Sequence, residues 1–262
     1  MFATIINDCR DQNAFGRQAT RLAAFLECSV ATVGVEDDLE AAGTLVDILD
    51  AAGKLPGAVL VNVAPRNGSG KKWPNGTPFG YFYYGETLVV SSVSGHTLSL
   101  VKKLDIAPKL HILDISTVSK EMLNQGALSP ERARQLDITQ FRSFEFLPYV
   151  AKWILKEGRS LPSEEHEIDA PVDDALVWYI DVFGNVKTIL LVEEVSFEPG
   201  GKLKTAFGEL PCYARLKDVP DGEAAMIIGS SGIKEKRFLE IVVQGKSAAE
   251  KFGIHNGVRV LE

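Results

Sequence analysis

Cysteine is scarce in this sequence. Cys9, Cys28 and Cys212 are odd in number, far apart, and form no C-x-x-C pair. That pattern offers neither a disulfide framework nor a thiolate zinc site, and a reducing cytoplasm is the expected compartment. Histidine is nearly as scarce, and the four residues at 96, 111, 166 and 255 show no H-x-H or H-E-x-x-H spacing, so no metal site is expected. Positive charge is in deficit: 28 Lys and Arg against 35 Asp and Glu leave a formal net charge of −7. Nucleic acid is therefore not an expected partner, because phosphate binding needs a basic face. No apolar run approaches the roughly 18 residues of a membrane span. The opening MFATIINDCRDQ has neither a basic n-region nor a long apolar h-region, so neither a membrane segment nor a signal peptide is expected.

What is present has ordinary globular proportions. The 262 residues are 45% hydrophobic and 24% charged, enough for one large domain or two smaller ones. Residues 1–156 read as alternating strands and helices. FATII (2–6) is a short apolar strand ending in Asn7-Asp8, and residues 14–27 carry apolar side chains at helical spacing. VATVGV reads as a strand, LEAAGTLVDILDAAGKL (39–55) as an amphipathic helix, and GAVLVNVAP (57–65) as a fully apolar strand. YFYYGETLVVSS reads as an aromatic hairpin or strand pair. This alternation predicts an N-terminal α/β domain with a central, mostly parallel sheet. Residues 157–174, acidic and with two prolines, have linker composition. Residues 175–262 change to short strands separated by Gly, Pro or charged turns, which predicts a C-terminal all-β barrel domain.

Two loops invite functional readings that their residues do not sustain. NGSGKK (67–72) follows an apolar strand, but a phosphate loop needs Gly where Pro65 stands and Ser or Thr where Lys72 stands. GSSG (229–232) is not G-x-S-x-G and lies between strands. Two other segments are more specific. IDVFGNVKT (180–188) puts a carboxylate, an aromatic, a glycine and an amide in a tight strand–turn–strand. SSG…LEIVVQGKSAAEKFGIHNGVRV (230–260) joins a glycine turn, a strand, a bend, a short Ser-capped helix and a final strand.

Together these segments resemble the C-terminal domain of the S-adenosyl-L-methionine hydroxide adenosyltransferase family, relatives of fluorinase and chlorinase enzymes. The family stretches read like I-D-x-F-G-N-L-x-T-N and S-S-G-x-L-E-I-A-V-N-x-G-S-A-A…G-D-x-V. Here Ile189 and Gln244 replace two of the asparagines, and Asn256-Gly257 stands near the Gly-Asp. In the first half, Asp8 follows the first strand, VLVNVAPRNGSGKK stands where the family has V-x-V-V-D-P-G-V-G-T-x-R, and FRSFEFLPYVAKWIL (141–155) stands where it has F-H-G-R-D-x-F-A-P-V-A-A-H-L.

The resemblance implies a small adenosyl ligand, S-adenosylmethionine as substrate or ligand with no further cofactor. It also implies a homotrimer with sites at subunit interfaces. Asp8 would hold the ribose hydroxyls, Asn185 would read the adenine edge, and Phe183 and Tyr213 would offer aromatic surfaces to the base. Asp181 would face the methionine ammonium, with Ser230 and Ser231 near its carboxylate. In the family a nucleophile, water or halide, attacks C5′ of the sulfonium and methionine leaves. The Asp, Arg and His that position water in hydrolytic members align with Ala64, Lys71 and Arg142, which leaves no general base at these places. Halide-using members carry Tyr-Pro where this chain has Ala64-Pro65, and a small residue where it has Ser143. Lys71, Arg142 and Ser143 are the candidate catalytic residues. Two functions stay open: cleavage of S-adenosylmethionine at C5′ with a rearranged nucleophile site, or a catalytically silent adenosyl-binding protein.

Overall fold

The chain, described from a computed structural model over residues 1–64, 77–171 and 175–262, opens with β1 (Phe2–Asn7). The strand is buried along almost its whole length, because FATIIN is apolar on both faces. Helix α1 (Gln12–Leu26) begins at Asp11, whose carboxylate accepts from the Ala14 N–H at 2.8 Å. It buries Leu22 and Leu26 against the sheet. Strand β2 (Val30–Gly34), helix α2 (Asp38–Ala52) and β3 (Gly57–Asn62) follow. A crossover helix joins β1 to β2 and β2 to β3, which suits parallel pairing, and β2–β1 and β1–β3 are parallel, as is β3 with β5 (Thr87–Ser92).

The sheet is not mostly parallel. Strand β4 (Phe79–Tyr84) turns tightly through Gly85 (φ +61) into β5, and a hairpin this short pairs its strands antiparallel. From there the polarity stays alternating, with β4 against β6 (Lys109–Leu113) and β6 against β7 (Glu164–Glu167) antiparallel. The seven-stranded sheet has the order β2-β1-β3-β5-β4-β6-β7, half parallel and half antiparallel. β7 lies inside the acidic stretch 157–174 and is exposed along its length. Its sequence, EEHE, suits a sheet edge, where charge discourages further pairing. Helices α3 (Ser99–Lys103), α4 (Ile115–Asn124), α5 (Pro130–Ile138), α6 (Arg142–Glu145) and α7 (Leu147–Leu155) complete this part of the chain. Its core gathers Leu22, Leu26, Phe79, Phe146 and Trp153.

The chain divides into two compact units, Met1–Leu45 with Ala51–Pro171, and Val46–Asp50 with the described residues from Ala175 onward. The second holds β8 (Val177–Ile180), β9 (Val186–Leu191), β10 (Lys202–Thr205), β11 (Gly208–Tyr213), β12 (Ala224–Ile233), β13 (Lys236–Val243) and the short helix α8 (Ala248–Phe252). The order is β10-β11-β12-β13-β9-β8. The barrel read from the sequence is not a closed strand ladder among the described residues. Instead, residues 257–260 bond to the β8 edge, with Val177 N–H donating to Val258 O at 2.9 Å, and Val260 O accepts from Ala206 N–H beyond β10 at 2.8 Å. The core packs Val177, Leu190, Cys212, Met226, Leu239 and Ile241.

Candidate functional site

In the first unit the strand order reverses at β1: its crossovers lead to β2 on one side and β3 on the other. The crevice outside the carboxyl ends of such strands is where open α/β sheets bind ligands. Asp8 stands there, at the end of β1, and is only 8% exposed. Its Oδ2 accepts from the Ala64 N–H at 3.0 Å, and its own N–H donates to Asn62 O at 3.2 Å. Asn7 Oδ1 accepts from Asn62 Nδ2 and from the Cys9 N–H, each at 3.0 Å. These bonds fix the ends of β1 and β3 relative to each other, so Asp8 is rigidly placed and already has a structural task.

Arg142 opens α6. It is half-buried, its guanidinium lies 5.2 Å from the centre of the Phe79 ring, and it donates to Thr77 O. Burial lowers its pKa below the ordinary arginine value. Among the described residues no carboxylate pairs with it. Ser143 follows it and is also half-buried. Lys71 lies outside the described residues, and Ala64 is exposed at the end of β3.

In the second unit the IDVFGN segment is a tight turn between β8 and β9. Asp181 Oδ1 accepts from the Phe183 and Asn185 N–H groups, and its Oδ2 accepts from Asn185 Nδ2, all at 2.9 Å. Gly184 has φ +78, a conformation that suits glycine. A Cβ there would stand 2.1 Å from Ser247 Oγ. The Gly184 carbonyl accepts from Ala248 and Ala249 N–H, which joins the turn to the start of α8. The two motifs singled out in the sequence thus meet in one place. The turn presents Val182 and Phe183, 89% and 75% exposed. Asp181 and Asn185 are half-buried and occupied chiefly with each other.

Next to the turn lies a cluster that residue-by-residue reading missed. Lys187 on β9 pairs with Glu240 on β13 at 2.7 Å, and its ammonium also donates to Ser231 Oγ at 3.0 Å and Ser230 Oγ at 3.2 Å. The serines sit where β12 bulges between Ile228 and Gly232, a device that redirects side chains. A Cβ at Gly229 would stand 2.4 Å from Glu240 Oε1, so a larger residue there would have to displace the Glu240 side chain. Ser231 Oγ donates to Asp47 Oδ2 at 2.8 Å, and Asp47 belongs to the helical stretch that packs as part of this unit. Burial raises the Asp47 pKa despite bonds from Gly232 N–H and Ser231. The signal for Glu240 was inside the quoted motif, and Lys187 occupies a position the motif leaves unspecified. Tyr213, at the end of β11, is half-buried against Val219, Ala225, Ile227 and Val242.

No curated protein matches the chain. Among solved structures it is similar to an uncharacterized conserved protein from Thermotoga maritima, at 15% identity and TM-score 0.70, covering 100% of this chain and 99% of that one. It is also similar to a conserved hypothetical protein from Thermus thermophilus, at 20% identity and TM-score 0.58, covering 99% of each chain. At these identities the likeness speaks for the fold alone. Residues 175–261 match the family model described as the SAM hydroxide adenosyltransferase C-terminal domain.

Proposed function

We propose that the protein binds S-adenosylmethionine and cleaves it at C5′, with a nucleophile site unlike that of the hydrolytic enzymes. The observation that carries the reading is the family match over residues 175–261. The IDVFGN turn and the β12 bulge within it form one ordered surface. Asp8, held at the carboxyl end of β1 by Ala64 N–H, supports it from the other unit, because a fixed carboxylate suits the vicinal hydroxyls of a ribose. In the reaction the nucleophile bonds to C5′, the C5′–S bond breaks, and its electron pair stays on sulfur, so methionine leaves as a neutral thioether. Catalysis of such a displacement rests on alignment and on water exclusion.

Residues 64 and 142 favour an anion over water. Ala64 offers no carboxylate to take a proton. Arg142 is a partly desolvated cation that no carboxylate neutralises among the described residues, so a chloride or carboxylate beside it would be stabilised. Ser143 could donate a hydrogen bond to the same anion. The partners that fit are a small adenosyl ligand and two further copies of the chain, with each ligand held between subunits. The absence of a base at position 64 favours one second reading, a silent protein that binds the ligand without cleaving it. Incubation with S-adenosylmethionine, with and without chloride, followed by chromatography separates the two. Release of methionine with adenosine or a 5′-substituted adenosine supports the enzyme. Intact ligand recovered from a saturated protein supports the silent binder.

A further inference from the structure

The two edges of the seven-stranded sheet are unlike. β7 ends one side with Glu164, Glu165 and Glu167 in a strand of four residues, and like charges there repel a second such strand. β2 ends the other side with Val30-Ala31-Thr32-Val33-Gly34, which holds no charge and no proline. Ala31, Thr32 and Gly34 are exposed. The ladder to β1 fixes which backbone groups stay open. Ala3 N–H donates to Ser29 O at 3.3 Å, and Val35 N–H donates to Asn7 O at 3.1 Å. Bonding residues alternate along a strand, so residues 29, 31, 33 and 35 face β1. Val30, Thr32 and Gly34 turn their N–H and C=O groups outward, where no partner stands among the described residues. An uncharged edge of this kind invites a further strand.

The strand that fits is β2 itself. Placed antiparallel about a two-fold axis at Thr32, Thr32 opposes its own copy and Val30 opposes Gly34. All the outward residues then fall in hydrogen-bonded pairs, each exchanging both N–H···O bonds. No like charges meet, and Thr32 against Thr32 is a favourable cross-strand pair. Arg10, paired with Glu36 at 2.9 Å, lays its Cγ 2.9 Å from where a Gly34 Cβ would stand. The second copy's Val30 therefore meets the apolar stem of that arginine. We infer that β2 pairs with β2 of a second copy, joining two sheets into one. A ladder this short buries less than a permanent interface needs, so the contact is reversible. It stands apart from the adenosyl reading and doubles whatever assembly the ligand site builds, leaving that assembly alone on dilution.

Sedimentation of the full chain over a dilution series tests the pairing, together with hydrogen exchange resolved at single amides. Concentrated wild type should show twice the mass of Thr32→Lys, in which two like charges would face each other at the axis. Thr32→Pro should lose the heavier species as well. It removes an outward donor without touching the β1 ladder, and an edge strand tolerates proline. Far-UV circular dichroism of both variants should match wild type. On association the Val30, Thr32 and Gly34 amides should gain protection, while those of Ala31 and Val33, already bonded to β1, should not change. Equal mass for wild type and Thr32→Lys at every dilution, or doubling that leaves those three amides unprotected, would overturn the inference.

Discussion

Asp181 takes three hydrogen bonds within its own turn, so its removal acts on structure before it acts on a ligand. Asp181→Ala should destabilise the second unit by about 1 kcal/mol, the scale of losing hydrogen bonds from exposed and half-buried donors, visible as a lowered thermal midpoint. Unchanged unfolding would mean that the turn is held by Gly184 and α8 alone. Asp50 gives a pH test. Burial pushes its pKa up, but the Lys234 N–H and the Arg237 guanidinium outweigh this and hold it below the usual value. A lowered folded-state pKa stabilises the fold above the ordinary carboxylate value of about 4, and that stabilisation is lost as pH falls through the folded value. Asp50→Asn should therefore be less stable than wild type to urea at pH 7, and the gap should close on acidification. Asp47 has the opposite sign. Its raised pKa means that its ionisation costs stability as pH climbs through the folded value.

At the scale of elements, two glycines predict opposite outcomes. Gly184→Ala must keep φ +78 and place a Cβ 2.8 Å from Ser247 Cα, which should cost more than about 1 kcal/mol. Gly16 sits inside α1, where an added methyl group would meet nothing within 4 Å, so Gly16→Ala should raise the melting temperature by the equivalent of about 0.5–1 kcal/mol. Thermal unfolding of both variants checks the pair. The strands and helices before Asn62 were legible because apolar periodicity and caps such as Asp11 act locally. The sheet's polarity was not. It hinges on whether YFYYGETL makes a tight hairpin, and the alternation of strands and helices around it pointed the other way. In the site, the IDVFGN motif marked the turn correctly in place. That Asp181 spends its carboxylate on the turn itself depends on where the Phe183 and Asn185 N–H groups point. Lys187 was invisible because its partners, Glu240 and the serines, stand more than 40 residues away in sequence.

For the whole molecule, among the described residues no helix is long and apolar enough to cross a membrane. Three copies should assemble if each ligand is held between subunits, as proposed. Sedimentation should then give a trimer, and a stable monomer with undiminished ligand affinity would count against shared sites. The proposed adenosyl ligand would be held through the carboxylate at the end of β1. Titration calorimetry of S-adenosylmethionine into wild type and Asp8→Ala tests it most directly. Saturable binding to wild type, weakened in the variant by about 1.5–3 kcal/mol for loss of a charge-assisted bond, is the predicted result. No saturable heat with wild type, or equal affinity in the two proteins, would contradict it.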